Sequence, residues 1–256
     1  MRLSVLIPVY NERHTVGRVI AAVSHALPAV EKEIVLIDDG SDDGTGSFLR
    51  DTFGSAAGPF RPVEFEGGCL RLEPARETDT GTVAFNVGFH ERNLGKGAAV
   101  RSAMQAATGD VIVIQDADLE YDPNDWAPMY ALIAEKKVAD VVYGSRFFGR
   151  PHRSLFFHHF LANRLISFLF NLIYNQTLTD IEVCYKMFTR EVMKSFALTA
   201  NDFGIEIEIS SQIALNRKLR IYEVGISYYG RTYHEGKKID WRDGIRALWY
   251  LIKYRF

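Results

Sequence analysis

The feature that most narrows the fold is an alternation. Short apolar runs recur at Leu3–Val9, Glu33–Ile37, Val83–Phe89, Val111–Gln115 and Asp140–Gly144, and most are followed by a stretch with helical spacing. His14–Ala26 places Val16, Val19, Ile20 and Val23 on one helical face, and Thr45–Phe53, the Ala-rich Gly97–Ala107 and Asn124–Lys136 read as further helices. Parallel strands need a crossover that carries the chain back to its starting edge, so strands alternating with helices of roughly 10–15 residues indicate βαβ units. The expected fold class is α/β, a mostly parallel sheet flanked by helices. With 47% hydrophobic residues, the 256-residue chain can fill a sizeable core.

Two regions depart from this rhythm. Residues 54–82, rich in turn formers and charge, read as an inserted loop or hairpin. After Arg146 come an apolar helix over Ser154–Tyr174, a strand over Val183–Phe188, a helix over Ile205–Leu215, a strand over Leu219–Val224 and an amphipathic helix over Asp240–Phe256. In the last, Trp241, Ile245, Leu248, Trp249, Ile252 and Phe256 share a broad face, with Arg242, Arg246, Lys253 and Arg255 largely off it. No Pro/Gly-rich linker divides the chain, so residues 1–256 are expected to form one domain, with 147–175 and 240–256 as its C-terminal helical elaboration.

Charge is unevenly spread: residues 1–145 hold 13 Lys and Arg against 22 Asp and Glu, and residues 146–256 hold 17 against 10. An acidic half suits cations and a basic half suits an anionic partner, although uneven surface charge alone would give the same numbers. Cys69 and Cys184 are too few for a disulfide framework or a zinc site. The opening MRLSVLIPVYNE reads as a strand rather than a secretory leader. The longest apolar stretch, Leu155–Tyr174, is interrupted by His158, His159, Asn163, Arg164 and Asn171, so no bilayer span is expected. The two histidines have no metal-spaced partner and read as interfacial polar residues.

In open parallel sheets, ligands bind outside the carboxyl ends of the strands. PVYNE (Pro8–Glu12), IDDGSDDGT (Ile37–Thr45) and QDADLE (Gln115–Glu120) all follow expected strands, so a parallel sheet sets them on one rim. In an extended segment Asp116 and Asp118 project to the same side. Two carboxylates facing one point repel unless a cation lies between them, and oxygen ligands of this kind suit Mg²⁺ or Mn²⁺. Glu120 offers a third oxygen. Turn or helix capping before Pro123 is the plainer reading of the same residues. Neither a P-loop nor a Rossmann fingerprint is present: Gly95-Lys96 is followed by Gly97, and the turn after the first strand reads PVYNERHT.

PVYNE, DDGSDDGT, NLGKGAA, DAD and GSRF, in that order on a βα alternation, resemble family 2 glycosyltransferases of the GT-A fold, and most closely the polyprenyl-phosphate sugar transferases of the dolichyl-phosphate mannose synthase group. The later TDIEVCYKMFTREV, FGIEIEI and EVGISYYGRTYHEGKK are similar to the second half of that group, and the likeness runs over most of the chain, excluding residues 54–82. The resemblance implies a nucleotide-sugar donor. Pro8, Tyr10 and Glu12 would border its base and ribose, with Asp39 on the base and Ala117 among the donor-binding positions. Asp116 and Asp118 would hold the metal under the diphosphate. The group commonly has Gln where this chain has Glu120. Arg231, and with less support Lys237, match basic positions near the donor or acceptor phosphates, in a loop whose spelling departs from the family's.

The chemistry is consistent with that likeness. A departing nucleoside diphosphate builds negative charge, which a divalent cation stabilises. A sugar hydroxyl acceptor needs a general base, whereas a lipid monophosphate, with a second pKa of about 6, is already largely dianionic and needs cations to position it. Arg146 in GSRF, followed by Arg150 and Arg153, can supply them, or form a solvated basic loop. Asp180 matches an aspartate of the group's pattern and could orient the acceptor or a cationic side chain, or cap a turn.

The expected reaction is inverting, metal-dependent transfer of a hexose to a polyprenyl (dolichyl or undecaprenyl) monophosphate, with GDP-mannose placed before UDP-glucose as donor. The alternatives are transfer to a saccharide or protein hydroxyl, and a non-catalytic nucleotide-sugar-binding scaffold. No nucleic-acid partner is expected. Phe156, Phe157, Phe160, Leu161, Leu165, Ile166 and Phe168–Phe170 suit in-plane attachment at a membrane surface; a helix pair buried on the sheet, or a dimer face, would use them equally well. Some members of the group carry transmembrane helices after the catalytic domain, whereas this sequence runs to KYRF without them. Peripheral attachment at the cytoplasmic face, with a membrane-anchoring partner protein as one route, is therefore the expectation.

Overall fold

The computed structural model describes residues 1–54, 59–64, 70–74, 83–154, 156–232 and 241–255. Its strands are β1 (Leu3–Val9), β2 (Lys32–Asp38), β3 (Pro59–Glu64), β4 (Leu70–Pro74), β5 (Val83–Phe89), β6 (Val111–Ile114), β7 (Val141–Ser145), β8 (Lys186–Thr189) and β9 (Ile221–Gly225). The helices are α1 (Val16–His25), α2 (Thr45–Phe53), α3 (Lys96–Ala106), α4 (Trp126–Tyr130), α5 (Phe157–Tyr174), α6 (Arg190–Lys194), α7 (Ile205–Leu215) and α8 (Trp241–Lys253).

One sheet runs in the order β4-β3-β5-β2-β1-β6-β8-β7-β9. The pairs β1–β2, β1–β6, β2–β5 and β7–β9 are parallel. Strand β8 lies antiparallel between β6 and β7, and β3 and β4 form an antiparallel pair beyond β5. Every residue of β1 except Pro8, and every residue of β2, β6 and β7, is buried, which requires cover on both faces and explains runs such as VIVI that show no polar alternation. The chain leaves β1 for β2 on one side and reaches β6 on the other. The seam between β1 and β6 is therefore the point where strand order reverses, which is where open sheets bind ligands.

Two expected elements differ in the structure. The helix expected over Asn124–Lys136 is a 3₁₀ turn at Pro123–Asp125, then α4, then a π turn at Ala131–Glu135. Asp122 caps its start by accepting from the Asn124 N–H, and Pro128 sits early enough that its missing N–H breaks no helical bond. The strand expected from Val183 begins at Lys186, and the preceding Tyr185 hydroxyl donates to Gln115 Oε1 at 2.5 Å.

Candidate active site

Register places the three acidic clusters together. Val9 pairs with Asp38 across β1–β2, and Leu6 pairs with Ile114 across β1–β6, so the ends of β1, β2 and β6 face one cleft. Along β1 the even residues turn their backbone groups to β6: the Arg2 carbonyl accepts from Val111 N and the Leu6 carbonyl from Gln115 N. Pro8 is the next even residue, and it has no N–H to offer. The ladder to β6 ends there and the strands part.

The loop after Pro8 is pinned to the loop after β2. Asn11 N–H donates to Ser41 Oγ at 2.9 Å and its side chain to Asp42 Oδ1 at 2.7 Å, while Glu12 N–H donates to Thr45 Oγ1 at 3.1 Å. Glu12 then points into the cleft.

The Asp-x-Asp pair is held by opposite charge on both sides. Lys96, at the start of α3, reaches Asp116 Oδ1 at 2.8 Å and Glu206 Oε1 at 2.9 Å; Lys186 meets Glu206 Oε2 at 2.5 Å. Asp116, Lys96, Glu206 and Lys186 thus form a line of alternating charges running from the cleft into the interior. Burial alone would lower the Lys96 pKa, but Asp116 and other neighbouring acids outweigh it and hold the ammonium well above its usual range.

On the other side, Arg231 Nη2 lies 3.1 Å from Asp118 Oδ2 and 3.2 Å from Glu12 Oε1. The Asp118 carboxyl is pushed up to about 7, first by burial and then by Asp116 and Glu120, with Arg231 opposing. Leu119, which follows it, sits at φ 63°, a conformation that costs a non-glycine residue and re-aims the chain between Asp118 and Glu120.

A divalent cation fits this corner. Asp116 and Asp118 offer hard oxygen donors on one cleft wall, and the raised Asp118 carboxyl marks a shortage of positive charge. Glu120 is engaged elsewhere: Oε1 accepts from Arg231 N at 2.7 Å and Oε2 from the Tyr228 hydroxyl at 2.8 Å. Among the described residues no group of three or more His, Cys, Asp or Glu is arranged to hold a metal alone, so diphosphate oxygens and water would complete the coordination.

Arg146 follows β7 and faces the same cleft. Its Nε and Nη2 each donate to the fully buried Asp180 at 2.7 Å, and its backbone N–H adds a third bond at 3.1 Å. Asp180 therefore orients Arg146. Burial lowers the Arg146 pKa and Asp180 more than restores it, so the guanidinium is held well above its usual range. Glu182 also lines the cleft, and burial pushes its carboxyl up to about 7, Asp180 adding to the rise while Arg146 opposes it. Arg153 Nη1 donates to the Gly230 carbonyl at 3.1 Å.

At the far end of the rim, Asp39 lines the cleft with Pro8, Tyr10 and Asn93 while accepting hydrogen bonds from His90, Leu94 and Gly95. Ala117 lines the cleft between the two aspartates. Lys237 lies outside the described residues.

Part of the cleft wall is apolar. Phe156, Phe157, Phe160, Leu165 and Ile166 line it from α5 and its approach, and Ala247, Leu248 and Tyr250 from α8. Both helices also present apolar residues outward: Phe157 is 67% exposed, Leu172 71%, Trp249 56% and Ile252 61%.

Sequence reasoning did not single out Lys96, Glu206, Lys186 or His90. The available signal was charge inside apolar helical sequence. FGIEIEI places Glu206 and Glu208 among isoleucines, and a buried glutamate must have partners.

Comparison with known proteins accords with this geometry. The profile of the family described as "Glycosyl transferase family 2" matches residues 4–66 and 74–196. The chain is 28% identical to glycosyltransferase AglJ of Haloferax volcanii, covering 98% of this chain and 70% of that protein. It is 25% identical to a dolichol-phosphate mannosyltransferase of Pyrococcus furiosus, covering 99% and 64%, so the chain spans a little under two thirds of that relative. It is 26% identical to a polyprenol monophosphomannose synthase of Mycolicibacterium smegmatis, covering 90% and 78%. Among solved structures, glucosyl-3-phosphoglycerate synthase from Mycobacterium tuberculosis, in complex with Mn²⁺, UDP-glucose and phosphoglyceric acid, superposes with a TM-score of 0.69 at 17% identity, over 99% of this chain and 79% of that one. With a mostly parallel sheet whose strand order reverses at β1–β6, an Asp-x-Asp pair at that seam and a family profile matched over most of its length, the chain belongs to glycosyl transferase family 2.

Proposed function

We propose that this chain moves a hexose from a nucleoside-diphosphate sugar to a polyprenyl monophosphate, with inversion at the anomeric carbon. The observation that carries the reading is a continuity. One cleft of about 1310 Å³ is lined by Pro8, Asp39 and the Asp116–Asp118 pair, by Arg146, and by apolar residues of α5 and α8. A nucleoside diphosphate suits the first part, a phosphate the middle and an isoprenoid chain the last. The names of the curated relatives support the lipid phosphate, and the Mn²⁺ and uridine diphosphate of the neighbouring structures support the donor and the metal. GDP-mannose and UDP-glucose are both compatible with this reading.

A divalent cation on Asp116 and Asp118 would neutralise the departing diphosphate. The chain's own groups do the rest. Asp180 fixes Arg146 by two parallel bonds, leaving the remaining guanidinium N–H groups to hold the acceptor phosphate. That phosphate needs no base: its oxygen forms the new bond to the anomeric carbon as the bond from that carbon to the diphosphate breaks, the electron pair leaving on the diphosphate oxygen. Lys96 holds Asp116 at the cleft wall. The outward apolar faces of α5 and α8 suit peripheral attachment to a membrane surface, for which we favour the cytoplasmic face, alone or with an anchoring partner protein. Among the described residues no helix is long and apolar enough to cross a membrane.

Glu182 favours a second reading. A cleft-lining carboxyl near 7 is matched to general-base work at neutral pH, which a sugar or protein hydroxyl acceptor would need.

One comparison separates the two. Arg146→Lys, which keeps the charge but loses the fork to Asp180, should cost about tenfold or more in transfer to polyprenyl phosphate while leaving donor affinity in calorimetry nearly unchanged. Unaltered transfer removes Arg146 from acceptor binding. Transfer to a hydroxyl acceptor that disappears in Glu182→Gln would establish the second reading.

A further inference from the structure

Lys186 is an unfavourable residue to place inside a sheet. It belongs to β8, which lies between β6 and β7, and it is fully buried. Its ammonium donates to the Val183 carbonyl, sits 5.6 Å from the centre of the Tyr143 ring and meets Glu206 Oε2 at 2.5 Å. Lysine is almost never buried unless paired, and a buried ion pair gains little over apolar residues of the same size. Stability alone gives no reason for this one.

Its partner differs from the acid beside it. Glu206 and Glu208 both stand in the first turn of α7, and both are buried. Glu208 is satisfied by a loop, accepting from the Thr199 and Ala200 N–H groups and from the Thr199 hydroxyl. Glu206 has a cation on each oxygen instead, Lys186 on Oε2 and Lys96 on Oε1 at 2.9 Å. Lys96 opens α3, an end where the helix dipole disfavours positive charge. Two carboxylates hold it there, Asp116 at 2.8 Å and Glu206 at nearly the same distance. Glu206 lines the cleft and Lys186 is buried behind it. The pair is therefore a fixed dipole whose negative end faces the Asp-x-Asp corner.

From this arrangement we infer that Glu206 and Lys186 are positioning residues for the metal: by sharing Lys96 with Asp116, they leave Asp116 negative enough to hold a divalent cation. The inference rests on the reading of Asp116 and Asp118 as the metal-binding pair. With Glu206 and Lys186 both made neutral, Lys96 would lean wholly on Asp116. The net charge of the protein would not change, but the negative charge nearer the corner and the positive charge farther from it would both be gone. The potential at Asp116 would become more positive, and an ion there would be held less tightly. Lys186 anchors Glu206, and Glu206 restrains Lys96.

Calorimetric titration of the whole chain with Mn²⁺ tests this, with Asp118→Asn identifying the heat that belongs to the corner. Glu206→Gln combined with Lys186→Met replaces both charges by neutral side chains of similar size. This double variant should bind Mn²⁺ at least about fivefold more weakly than the wild type, with a melting temperature within about 5 °C of it. Glu206→Gln alone leaves the Lys186 charge unopposed, so it should bind Mn²⁺ no more tightly than the double variant. A purely structural role gives the opposite order, since damage then accumulates with the second substitution. Wild-type affinity in the folded double variant, or affinity below that of Glu206→Gln, overturns the inference and leaves the metal site standing. Absence of Mn²⁺ binding by the wild type overturns both. If the double variant does not fold, Glu206→Gln decides: the same weakening supports the inference, and wild-type affinity overturns it.

Discussion

Asp118 shows what a buried carboxylate among acidic neighbours costs in stability. Its carboxyl titrates near 7 in the folded protein against an ordinary 3.8, because burial and two acidic neighbours disfavour its charge more than Arg231 favours it. Between those two values the folded state holds a proton that the unfolded state has lost. The slope of unfolding free energy with pH is then negative, so this group's contribution to stability declines as pH rises from about 4 to about 7 and is flat above. Glu182, raised from 4.5 to about 7, acts in the same direction. Other carboxylates titrate in that range, so the informative quantity is a difference: the metal-free melting temperature of Asp118→Asn minus that of the wild type should grow between pH 5 and pH 7. A constant difference would show that Asp118 is not perturbed in this way. Asp116, Asp118 and Arg146 were legible in the sequence because each follows an apolar run whose end marks the rim of a parallel sheet. Lys96, Glu206 and His90 were not, since each matters only through a partner that the tertiary fold brings near.

The strands and most helices of the acidic half could be read from periodicity, because buried parallel strands are apolar throughout and amphipathic helices repeat their apolar positions. The antiparallel insertion of β8 and the broken helix after Pro123 could not, since both are set by packing and by bonds to distant residues. The glycines of NLGKG show a related limit. Gly95 takes φ 98°, and a Cβ on Gly97 would lie 2.2 Å from the Ala200 carbonyl oxygen, so α3 can start against that backbone only without side chains there. Gly97→Ala should cost about 1–3 kcal/mol, a fall of roughly 2–4 °C in melting temperature for each kcal/mol, and should displace Lys96. An unshifted melting temperature would show that the approach relaxes freely. Helix α8 makes a different point: Ala247 and Leu251 pack inward while Trp249 and Ile252 face out. Replacing Trp249 and Ile252 by serine should leave the melting temperature within about 2 °C of the wild type, as exposed sites do, and should abolish flotation with lipid vesicles. Retained flotation would place the membrane contact elsewhere.

Charge from both halves of the sequence meets in the cleft, where the carboxylates Glu12, Asp39, Asp116 and Asp118 share the wall with Arg146 and Arg153. Arg231, a cation from the basic half, is lodged among Glu12, Asp118 and Glu120. A divalent ion held at Asp118 would compete with it, and a diphosphate would give the displaced guanidinium a new partner. Cation and nucleotide should therefore load cooperatively: Mn²⁺ affinity measured by calorimetry should rise at least about tenfold when the preferred nucleoside diphosphate is present, and Arg231→Ala should shrink that gain. Independent loading would show that Arg231 does not hold the place of the ion.

Pro8 shapes the cleft by the hydrogen it lacks. Its ring stands where the next rung between β1 and β6 would form, facing a strand that has already ended. Any other residue there would aim a donor into the opening, to pair with the chain beyond Ile114 or to claim a ligand oxygen. By withholding that hydrogen, an imino acid in the middle of the sheet works like the stop on a zipper and keeps the mouth of the seam apart before anything binds in it.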